Sequence, residues 1–284
     1  MRTCTTTRHG AQVVNTEKGG AGATGVKASR QRERQRLIAE QVLREGSVRI
    51  EVLAEDYDIS LMTIHRDLDE LETRGLLRKS RGWATAMSSS LVEASDVFRR
   101  DQQSAEKDAL ARAALEFIAP GQSVFLDDST TTARFAALLP QKAPLTVVTN
   151  YFSLMESLRT ERDVTVLGLG GRYVSWSDSF MGSMTTTAIR SVAADVFVMS
   201  TSAIIDDTCY HHTQDIVDVK RAMFDSAAVR ILAVDHTKFE RRALHALVRL
   251  NEFDHVIVDD GLSPERLARL RETTRDLTVA RVRG

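Results

Sequence analysis

Along residues 30–86 the apolar positions recur at helical spacing, and glycines and short polar runs mark where each helix stops. Arg34 to Arg44 carries Leu37, Ile38, Val42 and Leu43 on one face, and Gly46 closes that helix. Ile50 to Tyr57 predicts a second, short helix that carries Val52, Leu53 and Ala54, and Asp58-Ile59 forms a turn. Ser60 then suits an N-cap, because its hydroxyl can accept from a backbone N–H one turn inside a helix that starts at Leu61. Ile64, Leu68 and Leu71 make one apolar stripe, which leaves Met62, Thr63, His65 and Arg66 facing outward. Gly75 ends the helix where a left-handed residue costs least, and Leu76-Leu77 with Arg78, Lys79 and Arg81 predicts a short strand with a cationic exposed side.

The period then changes. Residues 85–90 are small and polar, with Ala86-Met-Ser-Ser-Ser90 as a linker, and Leu91 to Ile118 returns to helical spacing as a connecting segment that Pro120-Gly121 ends. Beyond it, β-branched runs alternate with Ala- and Leu-rich ones: Ser123 to Asp127, Leu145 to Thr149, Val164 to Leu169, Asp195 to Ser200, Arg230 to Asp235 and His255 to Asp259. Strands alternating with helices predict βαβ units, hence an α/β fold with a mainly parallel sheet covered on both faces. The expected organisation is a disordered leader at 1–29, a winged helix-turn-helix at 30–86, a linker and connecting helix at 87–119, and an α/β domain at 120–284.

The formal net charge of −1 makes the basic character local, so affinity for a polyanion must come from one patch. Two cysteines, Cys4 and Cys209, lack metal-ligand spacing and argue against a disulfide framework. No run approaches the roughly 20 apolar residues that span a bilayer, and the first 28 residues lack a secretory apolar core. A cytoplasmic protein with no membrane association is the expectation.

Candidate chemistry falls in two places. The tight turn, capped helix and basic hairpin occur in the order that duplex-docking modules require. Arg66, Arg78, Lys79 and Arg81 suit phosphates; Met62, Thr63 and His65 stand nearer base edges, and Ser60 marks the helix start among them. In the α/β domain the polar clusters lie just past strand ends, where open sheets bind ligands. Asp127-Asp128-Ser129-Thr130-Thr131-Thr132 offers hydroxyls and backbone N–H groups to a phosphate at the start of a following helix, or is an ordinary polar cap. Thr149-Asn150 and Gly168-Leu-Gly170-Gly171 end the next two strands, without the spacing of a dinucleotide fingerprint. Lys220 and Arg221 sit on a predicted helix from Asp215 to Ala228, and Lys238 follows the fifth strand. His211-His212 has no third ligand at suitable spacing, so neither a metal nor another cofactor is expected.

Val52-Leu-Ala54, Ile59-Ser60, Thr63-Ile-His-Arg-Asp-Leu68, Leu71-Glu72 and Gly75-Leu-Leu77 resemble the winged helix-turn-helix of the DeoR family of bacterial transcriptional regulators. This chain departs from that family's usual pattern at His65, where Arg is common, and at Gly82-Trp83-Ala84, where the wing usually ends Gly-Gly-Ala. Asp127-Asp-Ser-Thr-Thr131, Val148-Thr-Asn150, Leu169-Gly-Gly171, Val219-Lys-Arg-Ala-Met223 and Thr237-Lys-Phe239 resemble the same family's effector domain, which is similar in fold to ribose-5-phosphate isomerase. Asp128 and Ser129 replace Ser and Gly there, and Ile216-Val217 stands where an acidic residue is usual.

The resemblance implies a sequence-specific repressor of a carbohydrate operon. It would bind double-stranded operator DNA as a homodimer or homotetramer and sense a phosphorylated sugar through Asp127, Ser129, Thr130, Thr131, Thr149, Asn150, Gly170, Gly171, Lys220 and Lys238. Two other readings stay open. One is a sugar-phosphate isomerase-like enzyme with a DNA-binding appendage, using Asp127, Asp206, Asp207, Asp235, Asp259 or Asp260 as a base; the other is a DNA-binding architectural protein without a metabolite.

Overall fold

The computed structural model describes residues 21–73, 75–86, 99–100 and 102–282. Most of the expected leader, the linker at 87–90, the segment 91–98 and the side chain of Leu43 lie outside the described residues. The first helix, α1 (Ala21–Glu45), begins before the expected Arg34 and extends into the stretch expected to be disordered. Strand β1 (Ser47–Arg49), absent from the sequence expectation, precedes α2 (Ile50–Asp56) and α3 (Leu61–Thr73). Strands β2 (Leu77–Ser80) and β3 (Trp83–Ala86) form the wing hairpin, and β1 adds to it in an antiparallel sheet of order β1-β3-β2.

The core of this module follows from helical geometry. Ile64, Leu68 and Leu71 are fully buried against Ile38, Val42, Ile50 and Leu53. Val52 is 39% exposed, because Ile50, Leu53 and Ala54 at i, i+3 and i+4 define the buried face of α2 and Val52 falls opposite. Gly75 at φ +70° ends α3 as expected, with Leu76 N donating to Leu71 O at 3.0 Å. Asp67 is the one charged residue of α3 that is fully buried. It accepts from Arg34 Nε at 2.7 Å and Gln35 Nε2 at 3.0 Å, which ties α1 to the inner side of α3.

The larger domain is built on a seven-stranded, wholly parallel sheet. Its strands are β4 (Ser123–Leu126), β5 (Leu145–Thr149), β6 (Val164–Gly168), β9 (Ala194–Met199), β12 (Ala227–Val234), β14 (His255–Asp259) and β15 (Leu277–Ala280), in the order β15-β14-β12-β9-β4-β5-β6. Six of them are the runs expected from sequence; β15 was not anticipated. Alternate residues serve opposite faces: Phe125 and Phe197 belong to one core cluster, and Val124, Leu126, Val196 and Val198 to the other.

Helix α4 (Ser104–Leu115) corrects the expected domain boundary at 120. Rather than connecting two units, it buries Leu110, Ala111, Ala114 and Leu115 in the same cluster as Ile231, Ala233 and Ile257 of the sheet. Helices α5 (Phe152–Leu158), α6 (Ser183–Arg190), α7 (Gln214–Asp225) and α8 (Pro264–Thr273) complete the layers. Helix α7 stops before the expected Ala228 because Ala227 already pairs with Ala194 in the sheet. The hairpin β7 (Arg172–Val174) with β8 (Ser179–Met181), and an antiparallel sheet of β10 (Ala203–Ile205), β11 (Thr208–His211) and β13 (His245–Arg249), sit outside the alternating pattern. Among the described residues no helix is long and apolar enough to cross a membrane.

The α1–α3 tie is testable by substitution. Asp67→Ala leaves Arg34 and Gln35 without their buried acceptor and should lower the stability of the winged module by about 2–3 kcal/mol. Asp69→Ala, which removes the exposed ion-pair partner of Lys79, should cost less than about 1 kcal/mol. Urea unfolding followed by Trp83 fluorescence in a Trp176→Phe background measures both; equal midpoints would refute the assignment.

Candidate functional site

The outward face of α3 is built as the sequence predicts. Met62 is 84% exposed, His65 and Arg66 are exposed, and Thr63 N donates to Ser60 Oγ at 3.3 Å. The Thr63 hydroxyl lies 2.9 Å from Ser60 Oγ, so these two residues set the helix start together. In the wing, Arg78 and Arg81 are exposed, with Arg81 at the hairpin tip at φ +31°. Lys79 departs from expectation. Strand alternation turns it away from Arg78 and back toward α3, where its ammonium pairs with Asp69 and its backbone N donates to Glu72 Oε1 at 2.9 Å. Arg49, not singled out from the sequence, lies over the exposed Trp83 ring at 5.2 Å and adds a cation beside the wing.

In the larger domain, chain order runs from β4 to β5 and β6 on one side and returns to β9, β12, β14 and β15 on the other. The reversal lies between β4 and β9, the place where open α/β sheets form a crevice at their carboxyl ends. Asp127 occupies that crevice, fully buried. Its Oδ1 accepts from Ser129 N and Thr132 Oγ1, each at 3.0 Å, and its Oδ2 accepts from Ser200 N at 2.9 Å and from the Lys220 ammonium. Lys220 Nζ also lies 3.3 Å from Asp128 Oδ1, whose other oxygen accepts from Ser179 Oγ at 3.2 Å.

This arrangement changes the expected roles of the first loop. Two carboxylates face one ammonium, so the crevice floor carries its own counter-charge and a surplus negative charge that repels phosphate. The segment after the loop is a short 3₁₀ helix, Thr132–Ala137, in place of the α-helix whose dipole was expected to hold an anion. Ser129 and Thr132 spend their hydroxyls on each other and on Asp127. Thr130 and Thr131 are buried at the rim, and neither hydroxyl has a hydrogen-bond partner among the described residues.

The neighbouring strand ends are partly structural as well. Thr149 Oγ1 accepts from Tyr151 N at 3.1 Å, and Asn150 Nδ2 donates to Phe180 O at 3.0 Å while Asn150 Oδ1 is buried without a partner. Gly170 borders open space, whereas a Cβ on Gly171 would meet Thr185 Oγ1 at 2.1 Å and Met181 O at 2.8 Å. Close backbone packing therefore requires Gly171, independently of any ligand.

Lys238 stands apart from Lys220, beyond β12. It lies 3.5 Å from Asp235 Oδ2 on the 3₁₀ turn His236–Phe239. Around it gather residues that the sequence reading did not single out. Lys107 of α4 is buried and donates to the backbone carbonyls of Arg99 and of Gln102, the latter at 2.6 Å; Gln102 Oε1 accepts from Arg241 Nη2 at 3.3 Å. Burial, then Lys238 and Arg99, pushes the Lys107 ammonium down to about 7. Burial likewise pushes Lys238 down to about 8, opposed by Asp235 and reinforced by Arg241 and Arg99. His212 falls to about 4 through burial, Arg99, Arg241 and Lys238. Burial holds Asp235 up, but Lys238, Thr237 and Lys107 outweigh it and keep its carboxyl below the usual range. One signal was available for Lys107: it shares helical spacing with the buried Leu110, Ala111 and Ala114, where a lysine faces inward.

The carboxylates considered as catalytic bases are placed as structural groups. Asp206 and Asp207 take left-handed turn conformations at φ +46° and +60° between β10 and β11. Asp235 caps the turn at Thr237, Asp259 accepts from His236 N and lies 2.6 Å from its Nδ1, and Asp260 accepts from Val282 N.

Comparison with known proteins agrees with this architecture. The DeoR-like helix-turn-helix domain matches residues 34–90, and the DeoR C terminal sensor domain matches residues 102–260. The uncharacterized HTH-type transcriptional regulator YgbI of Escherichia coli K12 is 32% identical over 84% of this chain and 92% of its own length. The glycerol-3-phosphate regulon repressor of the same organism is 31% identical over 81% of this chain and 91% of its own. A D-ribose-5-phosphate isomerase solved in complex with phospho-erythronic acid aligns at a TM-score of 0.35 and 19% identity, over 47% of this chain and 52% of the enzyme. With both of its domains matched, the chain belongs to the DeoR family of transcriptional regulators.

Proposed function

We propose that this protein is an operon repressor for carbohydrate metabolism, whose hold on operator DNA is set by a phosphorylated sugar or a similar anion bound at the carboxyl ends of the sheet. The observation that carries the effector half is the gathering of Lys107, Lys238, Arg99 and Arg241 beside a single interacting carboxylate, Asp235. Two ammonium groups depressed chiefly by burial, Lys107 further by Lys238 and Arg99 and Lys238 by Arg241 and Arg99, are the electrostatic complement of a dianion. The sugar then extends toward Thr130, Thr131 and Asn150, which follow the ends of β4 and β5 beside that crevice, while Asp127 and Lys220 hold the crevice in shape. The repressor reading draws on the relative named for the glycerol-3-phosphate regulon. On the DNA side, Arg66, Arg78 and Arg81 position the module on phosphates, and Met62 and His65 meet base edges. One module covers a half-site, so the working form is a homodimer or homotetramer.

The DNA half predicts distinct effects for adjacent residues. Arg66→Ala should weaken binding to all duplexes and flatten the salt dependence by about one unit of slope, whereas His65→Arg should change the preferred base. Selection from a randomised duplex library reads both, and an unchanged preference for the His65→Arg protein would contradict the specificity role.

The effector half predicts a pH dependence. A bound phosphate raises the affinity of Lys107 and Lys238 for protons, so binding takes up protons and weakens as pH rises through about 7 and 8, where these groups lose charge. Titration calorimetry with aldose and ketose phosphates at pH about 6.5 and about 8.5, which bracket those values and lie above the phosphate's own pKa of about 6, should show tighter binding at the lower pH. Heats should also vary with the buffer's ionisation enthalpy. Equal affinity at both values would contradict the assignment.

A further inference from the structure

Strand β6 ends the seven-stranded sheet and, among the described residues, pairs with β5 alone. Its sequence, Val-Thr-Val-Leu-Gly, carries no charge and no proline, and Leu167 is 43% exposed. Soluble proteins guard such edges with charges, bulges or a covering element, because an open row of backbone N–H and C=O groups pairs with another strand. Beside this edge lies an open groove of about 440 Å³, lined by Phe152, Met155, Glu156, Arg159, Val166 and Gly168. Phe152 is 46% exposed and packs at 5.9 Å and 6.4 Å on Tyr173 and Phe180, which broadens the apolar surface.

The charges on the groove identify its occupant. Glu156 and Arg159 are exposed, three residues apart in sequence, and neither has an ion-pair partner among the described residues. Two opposite charges lining one apolar groove are self-complementary when a copy is turned antiparallel across it, the condition for an isologous contact. An antiparallel copy also satisfies the edge, since antiparallel strands pair directly.

We propose that the β6 edge and the α5 groove form a two-fold interface with a second copy of this chain, the two β6 strands pairing antiparallel and Glu156 of each copy facing Arg159 of the other. The proposal rests on the reading that the winged module acts as part of an oligomer, and it specifies the surface.

The test is the mass of the full chain by analytical ultracentrifugation across a micromolar dilution series, with circular dichroism as a check on folding. The unaltered chain should sediment as a dimer or larger. Glu156→Arg alone, or Arg159→Glu alone, sets like charges face to face and should halve the mass at concentrations on the order of tenfold above the wild-type transition. The double variant Glu156→Arg/Arg159→Glu restores opposite charges and should restore the mass. If the folded single variants keep the wild-type mass, or the double variant fails to recover it, this surface is not the interface, while the oligomer reading stands. A monomeric unaltered chain at micromolar concentration overturns the oligomer reading and with it this proposal, and would leave the edge to a strand from a different protein.

Discussion

A lysine buried between two aspartates at the reversal point of the sheet is the interaction on which the larger domain depends. Lys220 reaches from α7 to Asp127 at the end of β4, to Asp128 beside it and to Ser200 O at the end of β9. Asp128 in turn takes a hydrogen bond from Ser179 of the β7–β8 hairpin. Two strands, one helix and one hairpin are therefore tied to a single ammonium. Removing either side would leave a buried charge without compensation, a larger cost than the pair's own net stabilisation. The consequence is one of exclusion: the crevice floor is filled by its own ion pair, which is why the proposed anion site lies further along the strand ends at Lys238 and Lys107.

The same hairpin reaches the DNA-binding module. Ser175 Oγ donates to Thr73 O at 2.9 Å, at the end of α3, and the Trp176 side chain lies against Gly75. One element thus touches both the Asp128–Lys220 ion pair, through Ser179, and the end of α3, through Ser175. Any ligand that alters DNA affinity must bind the competent and incompetent arrangements unequally, with a typical difference of about 1–3 kcal/mol.

The repeated local patterns were legible in the sequence, and the non-local ones were not. Ile64, Leu68 and Leu71 at helical spacing and Gly75 after them define α3 from its own residues, and six β-branched runs announce the parallel sheet. The hairpins β7–β8 and β10–β11 escaped because strands of three or four residues are too short to show a period. Site residues divided in the same way. Asp127, Lys220 and Lys238 could be picked out by type and position, yet nothing local says that Lys220 spends its charge on Asp127 or that Lys238 answers to Lys107, well over a hundred residues earlier. A basic run such as Arg78-Lys79 looks uniform in sequence, whereas strand alternation sends the two to opposite faces and pairs Lys79 with Asp69.

The proposed function makes an anion at Lys238 and Lys107 the control on a winged module that can hold DNA without it. Its most direct test is fluorescence anisotropy of a labelled operator fragment titrated with the protein, with and without a saturating sugar phosphate, for the unaltered chain and Lys238→Met. Both proteins should bind the bare operator alike, and the sugar phosphate should shift the affinity of the unaltered chain alone. An equal shift in the Lys238→Met protein would contradict it.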